Sequence, residues 1–353
     1  MNAAPSNFPR TLGLFEKRIE GDDCLMQLAQ MRFRQAGMGT EIYAASPELL
    51  EWAMRFRPAE NAPVVAHLSR GMNLADADSH REIENFARRF AGQIYGMVIH
   101  DHPRLKDHFE DYARAAREMN ARLQKIQNSP WLFVEYAVGV ELETFVKFFR
   151  SIQPLDRISA AVDIGHVGIF QTRKAYSQIH PGVDVCALKS EPAMIAQAMP
   201  DIETALGTAL PAVLGLIEQL GQCGKPAHFH LHDGHPLSTF SPFGVSDHLS
   251  FLAKIPLHFD GHGRRQADLM FGPEGLAKVV AQALQSFGLE RASFTLEIHP
   301  TMDRLPLGDA AHHFDHWHDK TNAEKMNHWV SVLCENHRLL REAIHAAAGN
   351  HRS

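Results

Sequence analysis

The chain lacks several features that would place it in a common class of protein. No apolar run approaches the ~18 residues of a membrane-spanning helix, and the N-terminus MNAAPSNFPR has no apolar signal segment. The four cysteines (Cys24, Cys186, Cys223 and Cys334) show no CxxC spacing, which indicates free thiols in a reducing compartment. No GxGxxG follows the first apolar run and no GxxxxGK[ST] occurs, so no motif supports a Rossmann or P-loop site. We therefore expect a cytoplasmic protein without a membrane partner.

Composition and charge indicate a globular protein with a large core. The 353 residues are 45% hydrophobic and 22% charged, enough for one large α/β barrel or two ordinary domains. The net charge of −6 provides no general attraction to nucleic acid or to an anionic membrane, with a local basic patch as the alternative. Histidine is abundant, with 23 residues, and many of them follow apolar runs.

Short apolar runs alternate with helical segments along the chain. We predict strands over 11–15, 40–43, 63–66, 95–99, 131–134, 158–162, 226–231 and 292–296. The intervening helices are predicted over 24–35, 46–57, 79–90, 105–127, 142–149, 202–220, 273–286 and 322–347. Eight such alternations favour a single α/β domain, a (β/α)8 TIM barrel over 1–353, with a doubly wound open sheet as the alternative. Segments 170–200 and 234–272 are interpreted as inserted loops or a lid at the carboxyl-end face.

Polar side chains stand at the ends of six consecutive predicted strands. They are His67, His100, Glu135, Asp163, His230 and Glu297. A carboxylate buried at such a strand end needs a partner, and a divalent cation would serve as one. His166, three residues after Asp163, offers a neutral nitrogen to the same place. Alternatively, Glu135 pairs with an arginine and His166 caps a turn. Because strand ends converge on one face of a barrel, the six together favour a metal site.

These residues resemble a known superfamily. Val134-Glu135, Val162-Asp163-Ile164-Gly165-His166, His230-Leu231-His232-Asp233 and Leu296-Glu297 are similar to motifs of the xylose-isomerase-like TIM barrels. That superfamily contains sugar isomerases and epimerases, inosose dehydratases and endonuclease-IV-type abasic-site nucleases. The resemblance implies that Glu135, Asp163, His230 and Glu297 bind one divalent metal. It also implies that His166 faces the substrate or a second metal.

The epimerase-like branch implies further contacts with the substrate. Its second glutamate, six residues after the first ligand, matches Glu141, for which the alternative is a carboxylate favoured by a helix N-terminus. The arginine usual six residues after the seventh-strand histidine is replaced by Pro236, so Arg264 or Arg265 would have to substitute. We assign His232 to the substrate as well.

The endonuclease-IV-like branch implies a larger metal cluster. Its additional ligands would be His67, His100 or His102, Asp260 and His262, together with His166. The alternatives are hydrogen-bonded histidines at the barrel rim and a solvated loop around Asp260. The histidines of HHFDHWHDK (His312, His313, His316 and His318) are interpreted as a surface loop rather than a second metal patch.

The implied chemistry depends on the cation. Mixed oxygen and nitrogen ligands suit Mn²⁺, Zn²⁺, Co²⁺ or Fe²⁺, with one ion per chain favoured over two or three. We expect isomerisation or epimerisation of a sugar or another polyhydroxylated molecule, with Glu135 and Glu297 exchanging a proton and His166 bonding the substrate. The alternatives are a multinuclear phosphoesterase and a non-catalytic ligand-binding barrel. The resemblance to sugar-active enzymes also favours a homo-oligomer.

Overall fold

The computed structural model describes residues 8–15, 22–57, 62–137, 139–240, 248–252, 255–258, 264–298 and 321–350. The predictions for Asp260, His262 and the histidines of 312–318 lie outside the described residues. Within those residues, eight parallel strands form a closed barrel in the order β1-β10-β7-β6-β5-β4-β3-β2. The predicted (β/α)8 barrel is therefore confirmed, and the open sheet is wrong.

The barrel strands agree closely with the predicted ones. They are β1 (Arg10–Phe15), β2 (Gly39–Ala44), β3 (Val64–Leu68), β4 (Gly96–His100), β5 (Trp131–Glu135), β6 (Ile158–Asp163), β7 (Ala227–Leu231) and β10 (Ala292–Leu296). A separate antiparallel pair, β8 (Ile255–His258) and β9 (Arg264–Ala267), lies within the segment predicted as a long loop.

Helices follow most of the strands. They are α1 (Asp23–Ala36), α2 (Pro47–Met54), α3 (Ala77–Arg89), α4 (Arg104–Asp107), α5 (Phe109–Gln124), α6 (Leu142–Ser151), α7 (Ile164–Ile179), α8 (Pro192–Leu206), α9 (Ala209–Gly221), α10 (Gly272–Arg291) and α11 (Asn322–Asn350). Two 3-10 helices cover Val185–Ser190 and Pro236–Phe240. Ser46 caps α2 before Pro47, at the residue where the predicted helix 46–57 begins. The cap of α3 is Asp76 rather than the start at Ser79 that we predict, because the Asp76 carboxylate accepts the first backbone N–H groups.

Segment 170–200 is mostly helical rather than a loop, and its role as an insertion or a lid stays a prediction. Helix α7 continues to Ile179, and α8 begins at Pro192. Proline at the first helical position loses no hydrogen bond, so a residue that indicates a loop starts a helix here. The predicted helix 105–127 is divided at His108, and the predicted helix 202–220 is divided at Gly207.

One described stretch passes the composition test for a membrane-spanning helix. Ala193–Gly221 has 29 residues and a mean hydropathy of 1.2. It comprises two helices, α8 and α9, and its residues Ile195 and Met199 are fully buried. The core of a soluble protein has helices of the same composition, so the stretch assigns no membrane location.

Contacts divide the chain into two compact units. The first contains Met1–Val162, Leu216–His230 and Ala283–Leu296, which include nearly all of the barrel strands. The second contains Asp163–Gly215, Leu231–Gln282 and Glu297–Ser353. The single domain over 1–353 stays a prediction.

The interior of the barrel has an apolar layer. Leu12, Val65, Val98, Phe133 and Ala161, from five different strands, form one fully buried cluster, here called the apolar layer. The outward face of β7 packs elsewhere, with the Phe229 ring 5.7 Å from Phe287 in α10. This alternation fixes which side chains of each strand point inward.

Candidate metal centre

On four strands, the inward-facing residue two positions after the member of the apolar layer is polar. The pairs are Val65 and His67 in β3, Val98 and His100 in β4, Phe133 and Glu135 in β5, and Ala161 and Asp163 in β6. On β7 the inward residues are His228 and His230, and Glu297 comes two residues after Thr295 of β10. Because side chains alternate along a strand, each polar residue stands on the inward face, at or next to the strand's carboxyl end.

Glu135 is the centre of a cluster in the first unit. Its Oε2 lies 3.1 Å from His67 Nε2 and 3.6 Å from His100 Nε2, and its Oε1 lies 3.5 Å from His230 Nδ1. Glu135 and His67 are each 1% exposed. Ligand atoms of Glu135, His67 and His100 lie within 4.8 Å of one another. One carboxylate and the imidazoles around it form a donor set that fits a divalent transition metal.

The charges in this cluster stabilise one another. Burial raises the pKa of Glu135, but His230 and His100 outweigh that effect and hold it well below its usual range. Burial lowers the pKa of His67, but its hydrogen bond to Glu135 and the negative charges of Glu135 and Glu41 together outweigh burial, so the pKa is raised. Glu135 is thus held as an anion, the form that a cation needs.

A second buried carboxylate, Glu41 of β2, was not foreseen in the sequence. Its Oε1 lies 2.9 Å from His230 Nε2, and its Oε2 lies 2.9 Å from His228 Nε2 and 2.6 Å from Thr295 Oγ1. Glu41 is completely buried. Burial raises its pKa, but His230 and His228 hold it well below the usual range. The signals that could have found this group are a glutamate inside an apolar strand and the alternating His228-Phe-His230.

Asp163 is the centre of another cluster, in the second unit. Its Oδ1 accepts the backbone N–H of His166 at 2.8 Å, which caps α7, and lies 2.8 Å from His232 Nε2. The His248 ring lies 4.0 Å from that of His232 and 5.8 Å from that of His166. Ligand atoms of Asp163, His166, His232 and His248 lie within 4.8 Å of one another. His248 was missed because it lies in a segment without periodicity.

His232, predicted to bind substrate, contacts Asp163. Burial lowers the pKa of His232, but Asp163 outweighs it and raises the pKa to about 9. Gly165 makes this contact possible, because a Cβ added there would lie 1.9 Å from His232 Cε1. In the same unit, Glu297 is 3% exposed and its Oε1 lies 3.5 Å from His248 Nε2.

The other sequence-predicted residues take different positions. His102 is partly exposed, and its Nδ1 accepts the backbone N–H of Arg104, so it has a local role; no candidate ligand group within the described ranges includes it. Glu141 is half-buried and directly precedes α6 without capping it. Arg264 and Arg265 lie in β9, and their roles stay predictions.

Comparisons with known proteins identify the fold. No protein-family model matches the chain, and no curated protein matches it. The solved D-psicose 3-epimerase of Clostridium cellulolyticum H10, with D-tagatose, has 11% sequence identity and a TM-score of 0.50, over 94% of this chain and 99% of that chain. This likeness shows the fold alone, a (β/α)8 barrel like that of the epimerase.

Two solved structures described as xylose isomerase domain proteins also align with the chain. A xylose isomerase domain protein from Alicyclobacillus acidocaldarius shares 11% identity over 92% of this chain and 98% of that chain, with a TM-score of 0.41. One from Planctomyces limnophilus shares 8% identity over 95% and 98%, with a TM-score of 0.45. The activity must therefore be argued from the site.

Proposed function

We propose that the protein is a divalent-metal-dependent isomerase or epimerase acting on a sugar or another small polyhydroxylated substrate. The observation that carries this proposal is the buried Glu135 carboxylate at the end of β5 with three imidazoles around it. The proposed ligands of the catalytic cation are Glu135, Asp163, His230 and Glu297. They belong to β5, β6, β7 and the residue after β10, which are successive neighbours around the barrel.

The chain's own residues are proposed to move one proton. A divalent cation, when bound, polarises the adjacent carbonyl and hydroxyl oxygens of the substrate and acidifies the hydrogen beside them. Glu135 and Glu297, from strands that are not neighbours, take this proton from one side of the substrate and return one on the other. His166 holds a substrate oxygen by a hydrogen bond. The burial of both glutamates keeps bulk water from competing for the proton.

Specificity is proposed to come from residues around this centre. Glu141, near the end of β5, and Arg264 or Arg265 in β9 are the candidates for contacts with substrate hydroxyls. His232 stays a weaker candidate, because its Nε2 already bonds Asp163. A cytoplasmic location and a homo-oligomeric state belong to the same proposal.

A second candidate function is a multinuclear metal phosphoesterase. The contacts of His67 and His100 with Glu135 favour it, because they supply a donor set beyond the four ligands of a single-metal centre. Two or three cations would activate a water molecule and hold a phosphate group. Asp260 and His262 would complete such a cluster.

Elemental analysis of protein purified without chelator separates these functions. One equivalent of Mn, Fe, Co or Zn per chain, with turnover of D-psicose or D-tagatose, supports the epimerase. Two or three equivalents, with hydrolysis of bis(p-nitrophenyl) phosphate, support the phosphoesterase. A chain that binds no metal in either assay contradicts both and favours a ligand-binding barrel.

The variant Glu297→Gln tests the role of this carboxylate. We expect turnover to be abolished while the circular dichroism spectrum and melting temperature stay close to those of the wild type. The matched control is Glu274→Gln, because the Glu274 side chain is 84% exposed in α10. Wild-type turnover by Glu297→Gln would contradict the assignment.

A further inference from the structure

His230 lies between two carboxylates inside the barrel. Its Nε2 is 2.9 Å from Glu41 Oε1, and its Nδ1 is 3.5 Å from Glu135 Oε1. Both His230 and Glu41 are 0% exposed. The two ring nitrogens of a neutral histidine differ, since one donates a hydrogen and the other offers a lone pair. Which carboxylate takes the hydrogen therefore decides which nitrogen can bind a cation.

The contacts of Glu41 make Nε2 the nitrogen that carries the hydrogen. The Glu41 carboxylate accepts from Thr295 Oγ1 at 2.6 Å and faces the Nε2 atoms of both His228 and His230. Carboxylate oxygens are acceptors, and at 2.9 Å the ring nitrogen that faces each oxygen is the donor. The lone pair of His230 is then on Nδ1, which points toward Glu135.

The spacing on the Glu135 side fits two ligands of one ion. Two ligands of a tetrahedral ion with bonds of ~2.1 Å lie about 3.4 Å apart. The separation of His230 Nδ1 from Glu135 Oε1 is 3.5 Å, longer than a good hydrogen bond. The separation of His230 Nε2 from Glu41 is a normal hydrogen-bond length. The Glu135 side of the ring thus has the spacing of two ligands of one ion, whereas the Glu41 side has the spacing of a hydrogen bond.

Glu41 is itself held in place by polar side chains of β7 and β10. Its Oε2 is fixed by Thr295 and His228, and His228 Nδ1 lies 2.8 Å from Ser293 Oγ. The ring of His228 also stacks on Phe133 of the apolar layer, with centroids 5.4 Å apart. These contacts prevent the carboxylate from turning away from His230.

We propose that Glu41 is a positioning residue, which holds His230 in the tautomer and orientation that present Nδ1 to a divalent cation. The part of this inference that concerns the cation rests on the proposed function. The tautomer of His230 does not, because it is a property of the metal-free protein. Carboxylates that hold metal-binding histidines in this way commonly contribute 10–100-fold to metal affinity. Glu41 would act through His230, without touching the cation or the substrate.

The tautomer is measured directly in the metal-free wild-type protein. Two-bond ¹H–¹⁵N spectra of protein labelled with ¹⁵N-histidine distinguish Nε2–H from Nδ1–H rings, and the spectrum of His230→Asn identifies the His230 signals by their loss. We expect His230 to be an Nε2–H ring. An Nδ1–H ring would overturn the proposal whether or not the protein binds metal.

Affinity for Mn²⁺, measured by isothermal titration calorimetry, tests the consequence. Glu41→Gln should weaken Mn²⁺ binding 10–100-fold, because the amide is a poorer acceptor for His230. Thr295→Val, which removes one bond to the other oxygen of Glu41, should weaken it less than about threefold, and Glu274→Gln should leave it unchanged. Wild-type affinity in Glu41→Gln would overturn the proposal. A wild-type protein that binds no Mn²⁺ would contradict the proposed function, and the tautomer would still decide the role of Glu41.

Discussion

Two layers inside the barrel, separated by two residues along each strand, have opposite chemistry. The apolar layer of Leu12, Val65, Val98, Phe133 and Ala161 consists of fully buried apolar side chains. The next inward positions on several of the same strands carry His67, His100, Glu135 and Asp163. Burying charged groups is costly unless they are paired or bind a cation. The comparison therefore assigns stability to the apolar layer and chemistry to the polar one, and substitutions should separate the two.

The largest expected effect is on turnover, from Glu135→Gln in the polar layer. The change keeps the side-chain volume but removes the charge that His67, His100 and His230 surround. We expect kcat/KM to fall by ~10³ or more, equivalent to about 4 kcal/mol of transition-state stabilisation. Steady-state kinetics measures this, with Glu274→Gln as the surface control. A decrease in kcat/KM of less than about tenfold would contradict the assignment of chemistry to the polar layer.

Leu12→Ala, in the apolar layer, should have the opposite effect: a loss of stability with turnover retained. Leu12 is fully buried in β1, and its truncation leaves a cavity that should cost about 2–5 kcal/mol of unfolding free energy. The turnover of the folded fraction should stay within about threefold of wild type, a change below 1 kcal/mol. Urea unfolding and kinetics on the same sample provide both numbers. A Leu12→Ala variant with the unfolding free energy of the wild type but without turnover would contradict the assignment of stability to the apolar layer and chemistry to the polar one.

The strand ends could be predicted from the sequence, but several of their partners could not. Apolar runs followed by Glu135 and Asp163 are local signals, so both the strands and the polar positions are predictable. Glu41 is different, since its partners lie 187 and 189 residues away and are brought to it only by closure of the barrel. Its inward orientation depends on strand register, which no local pattern of β2 specifies.

His248 and segment 170–200 were missed for other reasons. His248 lies after β7 in a segment without apolar periodicity, and its contacts with His232 and Glu297 are tertiary. Segment 170–200 is rich in proline, serine and small residues, a composition typical of loops, yet Pro192 occupies the first helical position of α8. In both cases the local sequence is compatible with more than one structure, and tertiary contacts determine which one forms.

Gly165→Ala tests how closely the polar layer is packed. A Cβ at this position would lie 1.9 Å from His232 Cε1, so the ring must move. We expect a loss of about 1–3 kcal/mol in unfolding free energy. The matched control is Gly215→Ala in α9, where no atom lies within 4 Å of the added Cβ and alanine favours the helix. Equal stabilities of the two variants, measured by urea unfolding, would show that the contact with His232 imposes no constraint.

The smallest expected effect concerns pH, and it compares a buried histidine whose charged neighbour is Arg341 with the histidines beside carboxylates. His337 in α11 is 2% exposed, and burial lowers its pKa to about 4. Its ordinary pKa when unfolded is about 6.5. The unfolded chain therefore takes up the proton first, so stability falls as the pH decreases below 6.5.

Between pH 6.5 and 5.5 the contribution of His337 should be a loss of about 1 kcal/mol. His337→Gln removes the titration, and the pH dependence of its unfolding free energy should be shallower than that of the wild type by this amount. Parallel curves over this range would exclude a depressed pKa at this position.

The most direct test is an anomalous-scattering map of crystals grown with Mn²⁺. The account predicts a peak within ~2.0–2.3 Å of a Glu135 carboxylate oxygen and of His230 Nδ1, with His230 Nε2 still bonded to Glu41. A map without a peak at Glu135, or with Mn²⁺ coordinated only by surface carboxylates, would contradict the claim that the polar layer binds a cation.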